Sequence, residues 1–431
     1  MVQAIIIVLV FLLIVALMIS KKLPTMLALP ILAIAIALIA GIPLSEVDEK
    51  GVDTGILSNV IEGGTTRLAS SYIAVIFGAW LGAIMMNTGI TKRTVKLAAE
   101  LGGDRPLIVT ILLMIATSIL FTTVGGLGAV IMIGSIVLPI MTSVGVSGLT
   151  AVSLFLFSMG MGLTLNVANW NFYLSVLGVD KDTVQNFSLI LLGLTAAMSI
   201  IFLVVEYKRN GFASAWSQGK NSDDDSRDQK VPTISLITPL IPIIFVIAFD
   251  WPIVPSFIVA ILYSLICTQR KVRSFVNTLT KTAYEGISNV APVILLMMGI
   301  GMLLNAVMHP TVSEIMAPLL EKVIPTGIIG YILFFSLLSP LALYRGPLNM
   351  WGLGSGIGSL IISLNILPAP AVMGALLSTE RVQAIADPTN TYNVWLANFA
   401  GVDVNQVMKK VLPYVWVLSA IGIIIASIMF L

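Results

Sequence analysis

Stretches of mostly apolar residues recur along the whole chain, and this limits the fold more than any other feature. They fall near 4–20, 25–42, 70–89, 106–124, 127–146, 149–166 and 188–205. A second series falls near 233–250, 253–268, 288–307, 326–343, 346–366, 370–386 and 412–430. A run of about 17 or more such residues crosses ~30 Å of hydrocarbon as a helix. No β-barrel alternation is present, so helices must satisfy the backbone within lipid. Hydrophobic residues are 58% of the 431 and charged residues 10%, where a soluble chain carries about a quarter charged. The chain reads as an all-α polytopic membrane protein.

Composition removes several function classes. The net charge of +2 comes from basic residues in loops rather than in a patch, so no nucleic-acid partner is expected. Cys267 is the one cysteine, which excludes an intramolecular disulfide, and no metal-ligand spacing occurs. His309 precedes Pro310 at a segment end and reads as an interfacial loop residue. There is no nucleotide-binding motif and no soluble domain to hold one, so neither enzymatic activity nor primary pumping is expected. The run Ile5 to Ile19 lacks a preceding basic region; Lys21-Lys22 follow it. It reads as a retained first helix with its N-terminus outside.

The two series correspond at a spacing of about 223 residues, the signature of an internal repeat. Glu62-Gly63 recurs as Glu285-Gly286, Gly78 as Gly301, Gly178-Val179-Asp180 as Gly401-Val402-Asp403, and Val184 as Val407. Repeat one would span 1–206, with scaffold helices about 1–100 and transport elements about 106–206. A polar linker at 207–231, containing Asp223-Asp224-Asp225, would be cytoplasmic. Repeat two would span 232–431, with scaffold helices about 232–285 and transport elements about 288–431. Loop charge supplies orientation. Lys21-Lys22, Lys92, Arg93, Lys96, Arg105, Lys208, Arg209, Lys220, Arg270, Lys271, Arg273 and Lys409-Lys410 would face inside, and the acidic loop Glu46 to Glu49 outside. The loop after the second segment is acidic in repeat one and basic in repeat two; the loop after the third is basic in one and lacks Lys and Arg in the other. Such a swap is what inverted topology requires. Both chain termini would then be external, in a cell (cytoplasmic) membrane.

Inversion needs an odd number of crossings per repeat, whereas each repeat has seven apolar runs. Seven spans are one solution. Five per repeat, about 10 full crossings plus 2 hairpins, follow if 106–146 is a re-entrant hairpin and 149–177 a broken helix. The hairpin turn would lie at Thr122 to Gly128, with Thr122, Thr123, Gly125 and Gly126, and in repeat two at Tyr344 to Asn349. An ordinary surface loop is the alternative for each turn. The stretches 50–68 and 270–286 mix charges with spaced apolar residues and read as interfacial helices.

Polar strings mark the breaks: Thr164 to Asn171 in repeat one, with Asn166 and Asn169, and Asp387 to Asn393 in repeat two, with Thr389, Asn390 and Thr391. Pro388 cannot continue the helix ladder and disfavours a helical Asp387. Freed carbonyls suit a cation and following helix N-termini suit an anion, with neutral side-chain ligands added. The same strings also serve as helix–helix glue. Arg345, beside Gly346 and Asn349, would be a guanidinium within the membrane zone, where paired hydrogen bonds to a carboxylate make it an anion receptor. Its alternatives are a salt bridge to Glu380 or Asp387, or a snorkelling surface position. Asp387 has three open roles: cation ligand, proton carrier, or counter-ion of Arg345. Glu380 and Arg381 would pair near the start of the break.

On the Gly-Gly-Leu-Gly stretch at 125–128, Asp-Pro-Thr-Asn-Thr at 387–391 and Gly401-Val402-Asp403, the chain resembles the ion transporter superfamily. That group includes gluconate permeases, citrate and anaerobic C4-dicarboxylate carriers, and divalent-anion symporters. The resemblance covers nearly the whole chain and implies a homodimer with a fixed scaffold and a mobile transport domain moving as an elevator. The divalent-anion symporters carry Ser-Asn-Thr motifs in both repeats, whereas repeat one here has Thr164-Leu165-Asn166. Coupling by sodium and coupling by protons both stay open.

The expectation is an ion-coupled carrier of a small organic anion in the lipid bilayer. Arg345, Gly346, Asn349, Thr122, Thr123, Gly125, Gly126, Asn166, Asn169, Thr389, Asn390, Thr391 and Asn393 would hold the anion. Asp387, Thr164, Asn166 and Asn390 would serve the coupling ion, H+ or Na+, with no other cofactor or metal. The alternative is a Na+/H+ antiporter without organic substrate, from which a guanidinium at the site would distinguish it. A non-transport scaffold would leave the duplicated breaks unexplained.

Overall fold

The computed structural model describes residues 2–20, 22–47, 53–210 and 231–431. Most of the expected linker 207–231 lies outside the described residues, as do Lys21, Asp48, Glu49 and Lys220, on which part of the orientation argument rests. Among the described residues every regular element is helical. The first half contains α1 (Val2–Ile19), α2 (Thr25–Ala40), a π-helical stretch Ile56–Gly63, the single turn α3 (Gly64–Thr66), α4 (Ala69–Asn87) and α5 (Ile90–Gly102). It continues with α6 (Pro106–Phe121), α7 (Leu127–Ser143), α8 (Gly148–Thr164), α9 (Val167–Leu177) and α10 (Lys181–Asn210). The second half opens with a 3₁₀ stretch Thr233–Leu240 that runs into α11 (Ile241–Ala248), then α12 (Ile253–Thr268), α13 (Val272–Val307) and α14 (Pro310–Val323). α15 (Ile328–Leu338) extends through a 3₁₀ stretch Ser339–Arg345, followed by α16 (Leu353–Ser363), α17 (Ala369–Ala386), α18 (Thr391–Phe399) and α19 (Val404–Phe430). From α4 and α13 onward, the two halves follow the same order of elements.

Six described helices are long and apolar enough to cross a membrane, seven if α8 and α9, bent by 62°, form one broken span. Their outer faces remain apolar: Leu9, Ile200, Ile329, Leu337 and Ile428 are all exposed. Water would not tolerate so extended an apolar surface, whereas hydrocarbon does. The chain is thus a multi-pass membrane protein.

The core sits around two helices that have almost no exposed face. Residues Ala371 to Ala386 of α17 are all buried, as is nearly every residue of α8. A helix buried all round lies at the centre of its fold. Close approach is built in: a Cβ on Gly162 of α8 would stand 2.3 Å from the Ser118 carbonyl of α6. α8 is the first half of the bent pair, and α17 ends at the interruption before α18, so both interruptions lie in the interior.

The two interfacial helices expected at 50–68 and 270–286 are not separate elements. The stretch 56–66 leads through a short interruption into α4, forming a 32-residue apolar rod, and 272–286 is the front of the unbroken α13. Gly286, expected at a helix end, instead lets α13 approach α4: an added Cβ would meet Trp80 backbone at 2.8 Å. The expected boundary between scaffold and transport elements at 285–288 consequently falls inside a continuous helix.

Candidate functional site

Each break is closed by its own asparagines. Asn166 caps α9: its side chain accepts from the Ala168 N–H (3.1 Å), while its amide donates to the Phe121 carbonyl (3.2 Å) at the end of α6. Asn169 reaches back to the Leu163 carbonyl (3.2 Å), and the Trp170 indole donates to that of Thr164 (2.9 Å). The second break repeats the device. Asn390 caps α18 by accepting from the Tyr392 N–H (3.2 Å), and Asn393 donates to the Ile385 and Asp387 carbonyls (3.3 and 3.0 Å). Groups freed from the ladder thereby find partners without water, as a buried break requires.

Asp387 is fully buried. Its Oδ1 accepts from the Thr389 N–H (2.8 Å), the Thr389 hydroxyl (2.7 Å) and the Tyr344 N–H (3.1 Å). Its Oδ2 has no hydrogen-bond partner among the described residues.

Two turns border the same cavity as these breaks. In the turn between α6 and α7, Gly126 has φ +85°, a left-handed conformation that a side chain disfavours. The Thr122 hydroxyl donates to the Ile119 and Pro239 carbonyls (2.7 and 3.1 Å), and that of Thr123 to the Leu120 carbonyl (3.3 Å). In the turn before α16, a Cβ on Gly346 would lie 2.1 Å from the Leu341 carbonyl. The Asn349 amide closes this turn by donating to the Ala342 carbonyl (3.1 Å). Tyr344 (φ 55°, ψ 31°) and Arg345 (φ 59°) are both left-handed. Such conformations cost of order 1–3 kcal/mol each in non-glycine residues and persist only where the surroundings impose them.

A cavity of about 270 Å³ lies between these parts. Thr123, Gly125 and Gly126 from the first turn, Asn166 and Asn169 from the first break, Arg345 from the second turn, and Asn390 and Thr391 from the second break all line it. Val75, Gly78 and Ala79 of α4, with Val290, Pro292, Val293 and Leu296 of α13, form the apolar remainder. The other expected site residues do not line the cavity: Thr122, Thr164, Gly346, Asn349, Thr389, Asn393 and Asp387 stand behind it, holding the turns and breaks in shape. A second cavity of about 390 Å³, bordered by Trp170, Trp251 and Lys181, is nearly all apolar. Its single charge is engaged by the Val246 carbonyl (2.8 Å) and by Asp250. The first cavity is the one with convergent polar groups, the mark of a ligand site.

Four lining residues of chemical weight were not among those expected at the site: Trp351, Glu380, Gln383 and Tyr392. The Glu380 carboxylate accepts from the Tyr173 hydroxyl (2.9 and 2.7 Å) and from the Trp351 indole (2.9 Å). Arg381 Nη2 lies 3.3 Å from Glu380 Oε2, both side chains being buried. Arg381 Nη1 crosses to the other half, donating to the Gly160 carbonyl (2.8 Å) and the Thr164 hydroxyl (2.5 Å). The expected Glu380–Arg381 pair is present and buried, and Arg381 also stitches α17 to α8. The sequence signal was an acid and a base adjacent in an apolar run, unusual for a membrane helix.

With Glu380 paired to Arg381, and Asp387 bonded to Tyr344 and Thr389, the Arg345 guanidinium has no carboxylate partner among the described residues. It is half-buried and lines the cavity.

No family model and no curated relative matches the sequence. Solved structures do match in fold. The YdaH transporter of Alcanivorax borkumensis, noted for an unusual topology, is 13% identical with a TM-score of 0.59, covering 99% of this chain and 97% of that one. Neisseria gonorrhoeae MtrF, from a class of antimetabolite efflux pumps, is 14% identical with a TM-score of 0.50, covering 96% and 94%. The chain shares the fold of these two membrane transporters over nearly its whole length.

Proposed function

We propose that this protein is an ion-coupled secondary transporter of a small organic anion. The observation that carries the reading is Arg345: a half-buried guanidinium on the cavity wall, with no ion pair among the described residues, the one carboxylate on that wall, Glu380, being paired with Arg381. A half-buried guanidinium with no ion pair of its own is open to an anion in the cavity through charge-assisted hydrogen bonds. A planar fork suits a carboxylate held by two hydrogen bonds. The first turns of α9 and α18 add helix N-termini and amide donors, which favour negative charge. At about 270 Å³, slightly below the ~300 Å³ at which drug-sized sites begin, the cavity suits a metabolite such as gluconate, citrate or a C4-dicarboxylate.

In this reading the two halves are inverted repeats with about 10 full crossings. The α6–α7 and α15–α16 pairs are re-entrant hairpins, and both chain termini are external. The cavity lies between the long helices α4 and α13 on one side and the hairpins and breaks on the other. That arrangement supports an elevator motion of the hairpins and broken helices against a fixed, dimer-forming scaffold. Membership of the ion transporter superfamily rests on the Asp-Pro-Thr-Asn-Thr and Gly-Gly-Leu-Gly stretches. Asp387, with Thr164, Asn166 and Asn390 nearby in the breaks, serves the coupling H+ or Na+.

The test is uptake into proteoliposomes of labelled gluconate, citrate, lactate and C4-dicarboxylates, under sodium or proton gradients imposed separately. Saturable, gradient-driven accumulation of one of them is expected. A second reading, Na+/H+ exchange without organic substrate, draws on the unpartnered Oδ2 of buried Asp387. It takes over if no anion moves and a sodium gradient drives protons.

A further inference from the structure

We infer that Asp387 is a positioning residue for Arg345: its carboxylate latches the second turn to the second break and thereby aims the guanidinium into the cavity. The inference rests on the proposed anion site but assigns Asp387 a task distinct from carrying the coupling ion.

Four observations converge. Tyr344 and Arg345 are consecutive left-handed residues, a conformation that neither side chain favours and that needs an external restraint. The Tyr344 N–H, immediately before Arg345, donates to Asp387 Oδ1 at 3.1 Å, across 43 residues of sequence. The same oxygen is fixed from its own side by the Thr389 N–H and hydroxyl at 2.8 and 2.7 Å, so the acceptor cannot swing away. Pro388 keeps Asp387 extended (φ −68°, ψ 114°), turning its side chain out of the α17 ladder. A carboxylate accepting three donors on one oxygen is a rigid anchor. It holds the backbone corner rather than the guanidinium, which leaves Arg345 free to bind an anion. A direct Asp387–Arg345 ion pair would instead compete with that anion.

This geometry also separates the two roles of Asp387. Asp387→Asn keeps an acceptor oxygen for Tyr344 but removes the charge, whereas Asp387→Ala removes both. The decisive measurement is hydrogen–deuterium exchange of the peptide containing Tyr344, in detergent or nanodiscs, with α19 peptides as a folding control. Asp387→Ala should speed exchange of that peptide by about tenfold or more, and Asp387→Asn should stay within about twofold of wild type. Should Asp387→Ala not fold, Asp387→Ser, too short to reach Tyr344, carries the same expectation. Wild-type exchange in the alanine or serine variant overturns the latch, whatever the protein transports.

The functional arm is a double-mutant cycle on anion KM. Arg345→Ala and Asp387→Ala should each raise KM about tenfold or more, and the double variant should add less than about twofold beyond Arg345→Ala. Effects that multiply would show that Asp387 does not act through Arg345. If wild type takes up no anion, the proposed function fails while the exchange measurement still decides the latch.

Discussion

The two breaks are made with the same asparagines and held by opposite charges. At the first, Thr164 and Gly160 receive a guanidinium, Arg381, that reaches in from the second half. At the second, Asp387 supplies a carboxylate that grips the neighbouring turn and its own following residues. The first break is neutral and held from outside, while the second carries its own charge and controls the corner beside it. The capping devices of the two breaks match; the charges then divide the labour, with the first half presenting amides and helix ends and the second presenting Arg345.

The largest expected effect tests the external hold on the first break. Arg381→Met leaves Glu380 buried without its cation, so unfolding in detergent should show a loss of roughly 3–5 kcal/mol. The double variant Glu380→Gln/Arg381→Met should recover much of this. If the single variant is no less stable than the double, Glu380 does not depend on Arg381 as its counter-charge.

Next come the two turns. Gly346→Ala pushes a methyl to 2.1 Å from the Leu341 carbonyl, whereas the methyl of Gly125→Ala meets nothing within 4 Å. We expect the former to cost about 1–3 kcal/mol and the latter within about 0.5 kcal/mol, both read as shifts in Tm. Equal shifts would mean that the second turn is not the tighter one.

Tyr173→Phe removes a buried donor to Glu380 and should cost about 1–3 kcal/mol by the same unfolding measurement. The smallest pair, Asn166→Ala and Asn390→Ala, should each cost about 1 kcal/mol as lost caps. Similar values would confirm that the breaks share their backbone device; a strongly unequal pair would break the likeness.

Much of this was legible before any coordinates. Apolar runs located the helices because lipid-facing and core-facing residues are both apolar, and Asn and Thr between such runs marked where ladders stop. Arg345, Asn166, Asn169, Asn390 and Thr391 were placed in one site by repeat logic, and they share one cavity. Other features depend on tertiary neighbours. Glu380 was legible as half of a charged pair, but its place on the cavity wall depends on Tyr173 and Trp351, which come from other elements. Asn349 looked like an anion ligand, yet its amide is used inside its own turn. The stretch 272–286 looked interfacial because charges punctuate it, but nothing there stops a helix, and Gly286 serves packing against Trp80 instead.

The central claim is that Arg345 receives a transported anion. Uptake kinetics of Arg345→Ala and Arg345→Lys in proteoliposomes test it most directly, with insertion and folding matched to wild type. The expected result is saturable anion uptake by wild type, a fall of about 100-fold or more in kcat/KM for the alanine variant, and an intermediate fall for lysine, which keeps the charge but loses the fork. Unchanged saturable uptake by Arg345→Ala would contradict the account.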